Sequence, residues 1–448
     1  MTAIHAESAL LPDGWARDVR IIVENGVVAS VETECSPRHE DERHAVIVPA
    51  MPNLHSHAFQ RAMAGLAEIR GTSDDSFWSW RTVMYKFALS MRPEQMEAVA
   101  AQLYMEMLEA GFGRVGEFHY LHHDRDGSHY ANVAEMAERI GAAAAETGIG
   151  LTLLPVFYAH SGFGGQPPIE GQRRFIHSLD SYEKLMQGAE KIIKTLPGSV
   201  LGIAPHSLRA VTGEELTAIE PLAKGGPVHI HVAEQVKEVE DSLAFSGSRP
   251  VEWLLDNTRV DGRWCLIHAT HMTEDETRRM AKAGAIAGLC PITEANLGDG
   301  IFNGQDFLAQ GGRFGIGSDS NILISVTEEL RTLEYSQRLA RRARNVIADS
   351  GRSTGQKLFE AAHEGGAVAL GAMASIKEGQ SADLVSLDTS DVPYVSAPQV
   401  LDQWIFANGI RVGSVWVRGR KQVESGRHIR REAISRRFHQ VMAELADS

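Results

Sequence analysis

The sequence is poor in cysteine: Cys35, Cys265 and Cys290 are the only three in 448 residues, and no two of them form a C-x-x-C pair. That odd count supports neither a disulfide framework nor a thiolate zinc cluster, and it suits a reducing compartment. Also lacking is any uncharged apolar run near the ~18 residues a membrane helix needs. The opening stretch, MTAIHAESALLPDGW, has no basic region followed by an apolar one, so an unexported, cytoplasmic protein is expected. Positive charge is in short supply, with 44 Lys and Arg against 58 Asp and Glu, a formal net charge of −14. Nucleic acid and anionic membranes are therefore not expected partners, and an anionic small-molecule substrate would have to be met by local arginines. No internal repeat or low-complexity tract is evident.

What the chain does contain is a regular alternation. Eight short apolar runs, AVIVPAMPN, RVGEFHY, IGLTLLPVFY, SVLGIAPHS, PVHIHVAE, RWCLIHAT, AIAGLCPIT and RFGIGSDS, are separated by segments with apolar residues at helical spacing. The helical segments include Glu94–Ala110, Tyr130–Glu146, Ser181–Thr195 and Gly213–Lys224. After the sixth run, Thr273 and Glu276 have capping-box spacing and Gly284 closes the helix. Eight buried strands alternating with helices predict a parallel (β/α)8 TIM-type barrel, with an open doubly wound sheet as the other option. The ends read differently. Residues 18–34 alternate around an Asn-Gly turn, and residues 383–425 have the same β-and-turn character. Neither half has enough strands for its own core, so both ends are expected to join in one small β-sandwich domain. The expected division is 1–48 and 376–448 for that domain, the latter with a C-terminal helix, and 49–375 for the barrel. Between Ala58 and Pro93 no strand is evident, and Gly65, Gly71, Trp78, Trp80 and Tyr85 are scattered through the segment. A connection of that length suggests a lid over the strand ends.

In such a barrel the chemistry sits where strands end. The first run ends in His55 and His57, the fifth in His231, the sixth in His268 and the eighth in Asp319. Alternate residues of an extended segment face one side, so H-x-H offers two imidazoles to one cation. His231 and Asp319 would complete a site for a borderline divalent ion, most naturally zinc, with other divalent metals open. Glu234, three residues after His231, could reach a bound water as a proton shuttle. His229 would face the same way from deeper in the barrel and reads as structural. The histidine-rich HYLHHDRDGSHY has irregular spacing and reads as a polar strand-end loop.

The motifs P-N-L-H-S-H, H-V-A-E, His268 in LIHATH and GIGSDSN resemble the metal motifs of the amidohydrolase superfamily, in the branch that hydrolyses C–N bonds at aromatic or amidine-like carbons. The resemblance spans essentially the whole chain. It implies His55, His57, His231 and Asp319 as ligands of one metal ion, with Glu234, His268 and Asp319 serving the chemistry of a hydrolytic deamination. No lysine suggests itself at the fourth strand end, where APHSLRA stands, so a mononuclear site is implied.

The same stretch carries a departure. His206 ends the fourth run and Arg209 follows it, where relatives acting on purine-type nucleosides more often resemble PHSPYT. A planar guanidinium matches a carboxylate. Arg81 in FWSWR, Tyr120 at the second strand end and Gln60 after the H-x-H could join it. Together these features resemble family members that convert N-formimino-L-glutamate to N-formyl-L-glutamate and ammonia in histidine degradation. On that resemblance Arg209, Arg81 and Tyr120 would bind carboxylates, while His206 and Gln60 would orient the amidine. A deaminase or chlorohydrolase acting on a purine, pyrimidine or triazine-type heterocycle is the alternative. A barrel that has lost catalysis is disfavoured because every expected ligand is present, and the cytidine-deaminase solution because Cys290 has no C-x-x-C partner. Exposed barrel faces often pair, which leaves a homodimer open.

Overall fold

The computed structural model describes residues 2–68 and 77–446, and the side chains of all of these except 77–79. The eight runs supply eight parallel barrel positions in chain order: Met51–Ser56, Phe112–His119, Gly150–Phe157, a fourth divided into Val200–Leu201 and Ala204–Pro205, Val228–Val232, Trp264–His268, Ile286–Leu289 and Arg313–Ile316. Neighbours in sequence pair in parallel, and the last strand pairs with the first. The ring closes between the fourth and fifth positions, where His229 N donates to Ile203 O and His231 N to His206 O, each at 3.0 Å. Closure excludes the open sheet. The strands are buried along nearly their whole length, as expected when helices cover the outside and side chains fill the inside. A small apolar cluster including Leu54, Ile267, Ile286 and Leu370 packs inside, directly preceding the polar strand ends in sequence at Leu54 and Ile267.

Both chain ends meet in a second sheet of eight strands. Its two halves join where Leu384–Asp388 pairs antiparallel with Glu42–Pro49. The Asn25-Gly26 turn joins Gly14–Glu24 to Val27–Glu32, and both turn residues have positive φ (50° and 85°), as a two-residue hairpin of this twist requires. The first apolar run is not one strand. Glu42–Pro49 belongs to the chain-end sheet and Met51–Ser56 to the barrel, so the chain changes sheets at Ala50.

Two helices differ from expectation for local reasons. The helix expected from Tyr130 begins at Glu135, because Asn132 Oδ1 accepts from Ala134 N (3.1 Å) and holds the preceding residues in a turn. The helix from Gly213 ends at Ile219 and continues as a 3-10 turn over Glu220–Ala223, where Pro221 has no N–H to give. The Thr273 box forms as expected: Thr273 Oγ1 accepts from Glu276 N (3.2 Å), and Glu276 Oε2 from Thr273 N (2.8 Å). The segment expected as a long loop contains a 3-10 helix, Ala58–Met63, and an α-helix, Phe77–Ser90. Gly71 and the side chain of Trp78 lie outside the described residues. Among the described residues no helix is long and apolar enough to cross a membrane.

Candidate metal centre and active site

The first strand delivers His55 and His57, and its register against the eighth is set by hydrogen bonds that use the neighbouring motif residues. Asn53 Nδ2 donates to Ser318 Oγ (2.7 Å), and Asn53 Oδ1 accepts from Ser318 N (3.1 Å). Asn321 Nδ2 donates to His57 O (3.0 Å). His57 N donates to Asp319 O (3.1 Å) and Asp319 N to His55 O (3.0 Å), so ligand-type side chains on two strands are stitched together by their own backbones. At three strand ends a residue other than glycine takes positive φ: Ala233 (52°), His268 (66°) and Asp319 (44°). Such conformations are costly and cluster where a chain must aim a side chain.

The aim converges. His55 Nε2 lies 3.0 Å from His231 Nε2 and 3.4 Å from Asp319 Oδ1, and His57 Nε2 lies 3.1 Å from the same oxygen. One ligand atom from each of His55, His57, His231 and Asp319 falls within 4.8 Å of the others, all four residues being buried. His57 Nδ1 bonds Phe118 O (2.9 Å) and His231 Nδ1 bonds His206 O (3.0 Å). Those carbonyls can only accept, so the proton sits on Nδ1 and the Nε2 lone pair of each ring faces inward. Burial pushes the His55 pKa down to about 3 and that of His231 well below its usual value, so both rings are neutral. Burial opposes ionisation of Asp319, but its bonds to His55 and His57 outweigh it and keep the carboxylate charged. Inward lone pairs from neutral imidazoles and one anion are the donor set of a divalent cation, and the residues present fit one.

Beside this quartet, His268 Nε2 lies 3.8 Å from Glu234 Oε1 and 3.9 Å from Asp319 Oδ2. Burial works against a charge on His268, yet Glu234, the bond to Glu294 and Asp319 together raise its pKa to about 10. Burial raises the Glu234 pKa, partly offset by His268 and Arg209. Cys290 shares a ligand-sized grouping with His268 and Asp319, but burial holds its thiol well above the usual range and leaves it neutral.

A cavity of about 550 Å³, including its open mouth, is lined by His57, His231 and Asp319 of the quartet and by all the other residues expected at the site, with His55 buried behind it. Arg209 reaches it from the turn after the fourth strand, its side chain 11% exposed, with Nη2 3.8 Å from Glu234 Oε2 and Nε 4.0 Å from Glu238 Oε2. Arg81 comes from the helix Phe77–Ser90, its guanidinium 5.1 Å from the centre of the Tyr85 ring. Gln60 Nε2 donates to Tyr120 Oη (2.8 Å), and both side chains are buried at the cavity wall. The His206 ring is 4.9 Å from that of His231, and burial followed by Arg209 lowers its pKa well below the usual value. His229 is not in the cavity; its Nε2 bonds Ala369 O (2.8 Å) in the barrel interior. The histidines after the second strand pack against one another and His177 rather than at the quartet, with ring centres 4.4–5.0 Å apart in His123–His129, His122–His177 and His119–His122.

The amidohydrolase family pattern matches residues 46–421. The chain belongs to the amidohydrolase family. This amidohydrolase also matches, over residues 1–45, the N-terminal domain of formimidoylglutamate deiminase HutF. It is 52% identical to formimidoylglutamate deiminase of Pseudomonas aeruginosa, with all of both chains covered. A crystal structure of an amidohydrolase from Brucella melitensis is 61% identical and superimposes with a TM-score of 0.98 over both whole chains. An adenosine deaminase from Xanthomonas campestris, solved with bound zinc, shares the fold at 22% identity and a TM-score of 0.82, covering 100% of this amidohydrolase and 99% of that chain. The family is metal-dependent, in keeping with the quartet of this amidohydrolase.

Several residues at or just behind the cavity wall escaped sequence reasoning. Tyr158 ends the third run and was open to the same strand-end argument that singled out Tyr120. Glu294, whose Oε1 lies 3.3 Å from His268 Nδ1, follows the seventh strand by five residues, and a buried acid just past a strand end was its signal. Met84 and Phe175 reach the wall only through the folding of distant segments and carried no signal.

Proposed function

We infer that the protein is a zinc-dependent hydrolase that converts N-formimino-L-glutamate to N-formyl-L-glutamate and ammonia. The observation that carries this reading is the pairing, in one cavity, of the buried His-His-His-Asp quartet with Arg81 and Arg209. In a chain of net charge −14, two guanidiniums facing such a quartet favour an anionic substrate over a neutral heterocycle. The likeness to the Pseudomonas aeruginosa deiminase points the same way.

His55, His57, His231 and Asp319 would hold the ion; three imidazoles and a carboxylate favour zinc, the metal bound in the Xanthomonas campestris relative. The ion would supply Lewis acidity that makes water a nucleophile at neutral pH. Arg209, Arg81 and Tyr120 bind the two carboxylates and draw the formimino carbon toward the quartet. His206 and the Gln60 amide orient the amidine. Asp319 stands where the attacking water must lose its proton, and His268, its Nε2 3.9 Å from Asp319 Oδ2, holds and polarises that water. Glu234, its pKa raised by burial, carries a proton to the departing nitrogen so that ammonia leaves instead of amide ion. The balance is one water consumed, the C=N bond replaced by C=O, and one ammonia released.

The test is to incubate zinc-loaded protein with N-formimino-L-glutamate and, separately, with adenosine, cytosine and a chlorotriazine, measuring ammonia or chloride and N-formyl-L-glutamate. Turnover of the formimino diacid with no turnover of the heterocycles is expected. The reverse pattern would refute the assignment.

A further inference from the structure

We propose that Tyr158 is a specificity-determining residue that donates its phenolic proton to a substrate carboxylate held by Arg81 and Arg209. The inference rests on the deiminase reading above and adds a recognition group to that site.

The argument begins one layer behind the cavity wall. Ile169 N donates to Gln172 Oε1 at 2.9 Å. A backbone N–H can only be met by the carbonyl end of an amide, so this bond settles which way the Gln172 side chain points. Its NH2 end then faces the cavity wall, 2.8 Å from Tyr158 Oη and 3.5 Å from Tyr85 Oη. The first is a well-formed hydrogen bond and the second is at the limit of one. Gln172 is fully buried, so water does not compete for the amide.

The phenol oxygen of Tyr158 is thus an acceptor toward Gln172, and its own proton must go elsewhere. Among the described residues no acceptor is bonded to that hydroxyl. The ionisable groups near it in the cavity include Tyr85, Arg81 and Arg209, and the two guanidiniums have donors only. Burial holds the Tyr158 pKa above its usual value, so the group remains a protonated phenol. The two guanidiniums and the Tyr158 O–H, whose oxygen already accepts from Gln172, present donors on one side of the cavity. Its complement is a group with several acceptor lone pairs and negative charge, and a carboxylate meets that description. The Tyr158 ring centre lies 4.4 Å from that of His206, which places this donor surface beside the metal-type ligands.

The test uses the full-length, zinc-loaded enzyme and three substrates: N-formimino-L-glutamate, N-formimino-4-aminobutyrate, which lacks the α-carboxylate, and N-formimino-L-norvaline, which lacks the side-chain carboxylate. In Tyr158→Phe, kcat/KM on the diacid should fall about tenfold or more, the worth of one hydrogen bond to a charged group, and the change should lie mainly in KM. The same fall should appear on the one monoacid that keeps the carboxylate Tyr158 reads, and shrink below about twofold on the other. Gln172→Leu, which frees the phenol's direction, should give a smaller fall with the same substrate pattern. A fall of equal size on all three substrates, as a merely structural role would produce, overturns the proposal, as does no fall at all. Wild-type protein that leaves N-formimino-L-glutamate intact overturns the deiminase reading and this inference together. An active wild type with a uniform Tyr158→Phe defect overturns the inference alone.

Discussion

His268 Nδ1, at the end of the sixth strand, lies 3.3 Å from Oε1 of Glu294, 26 residues on in the helix Pro291–Leu297. The same carboxylate oxygen accepts from Cys290 N at 2.9 Å, so it is fixed by the start of its own helix before it meets the imidazole. An imidazolium anchored this way has its charge balanced and its ring plane set from behind, leaving Nε2–H for the cavity.

Glu294→Gln preserves the shape and the acceptor for Cys290 N while removing the charge that orients and polarises His268. We expect kcat to fall by about 10- to 100-fold, as for outer groups that orient site histidines, with metal content unchanged. Steady-state kinetics beside metal analysis checks this; full activity would deny Glu294 its role.

Arg209 is enclosed by Glu234 and Glu238, which, set against the cost of its burial, hold its pKa above the usual value. Arg209→Met should raise KM for N-formimino-L-glutamate and lower kcat/KM by roughly 100-fold or more, because truncating one partner of a buried charge pair costs about 2–5 kcal/mol. A loss below tenfold would count against a carboxylate clamp at this position.

The quartet predicts a metal-linked stability. Stripping the ion with a chelator should abolish turnover and lower the melting midpoint, and adding zinc should restore both. At 100 times its Kd an ion binding only the folded state contributes about 2.7 kcal/mol. His55→Ala should melt at the same temperature with and without zinc; a zinc-dependent rise in that variant would mean the ion sits elsewhere.

The histidines behind the second strand predict acid sensitivity. Burial lowers the folded-state pKa of His119 to about 3, of His123 to about 4 and of His177 to about 2, against 6.5 for an ordinary histidine. Between pH 6.5 and those values the unfolded chain binds protons that the folded chain refuses, so stability falls as pH drops below 6.5. At pH 5 a fully buried group such as His119 costs up to about 2 kcal/mol. Both ring nitrogens of His119 are buried without a hydrogen-bond partner, so His119→Phe should flatten the decline. Melting midpoints from pH 7.5 to 5 for the two proteins measure it, and parallel curves would refute the assignment.

The barrel was legible because its signals are short-range. A buried parallel strand writes itself as four to eight apolar residues, and the position where each run breaks into His or Asp marks the end that carries function. The eight runs, the Asn25-Gly26 hairpin and the Thr273 cap all follow from local chemistry of this kind. The helix Phe77–Ser90 did not. Its sequence, FWSWRTVMYKFALS, places apolar side chains around much of its circumference, so no polar face shows at helical period. The break at Ala50 was hidden for a related reason: one apolar run serves two sheets, and apolarity does not say which partner a strand will take.

The sequence by itself determined which strand ends carry His55, His57, His231, His268 and Asp319, because alternation along a strand and the polarity of its last residues are properties of neighbours in the chain. Tertiary structure alone decided how those groups are aimed and what faces them. The Gln60–Tyr120 bond spans 60 residues, the approach of Gln172 to Tyr85 spans 87, and the helix bearing Arg81 comes to the cavity wall only once the ring of strands has closed. Contacts of that separation leave no periodic trace in the chain, since they depend on where closure and packing bring remote segments together.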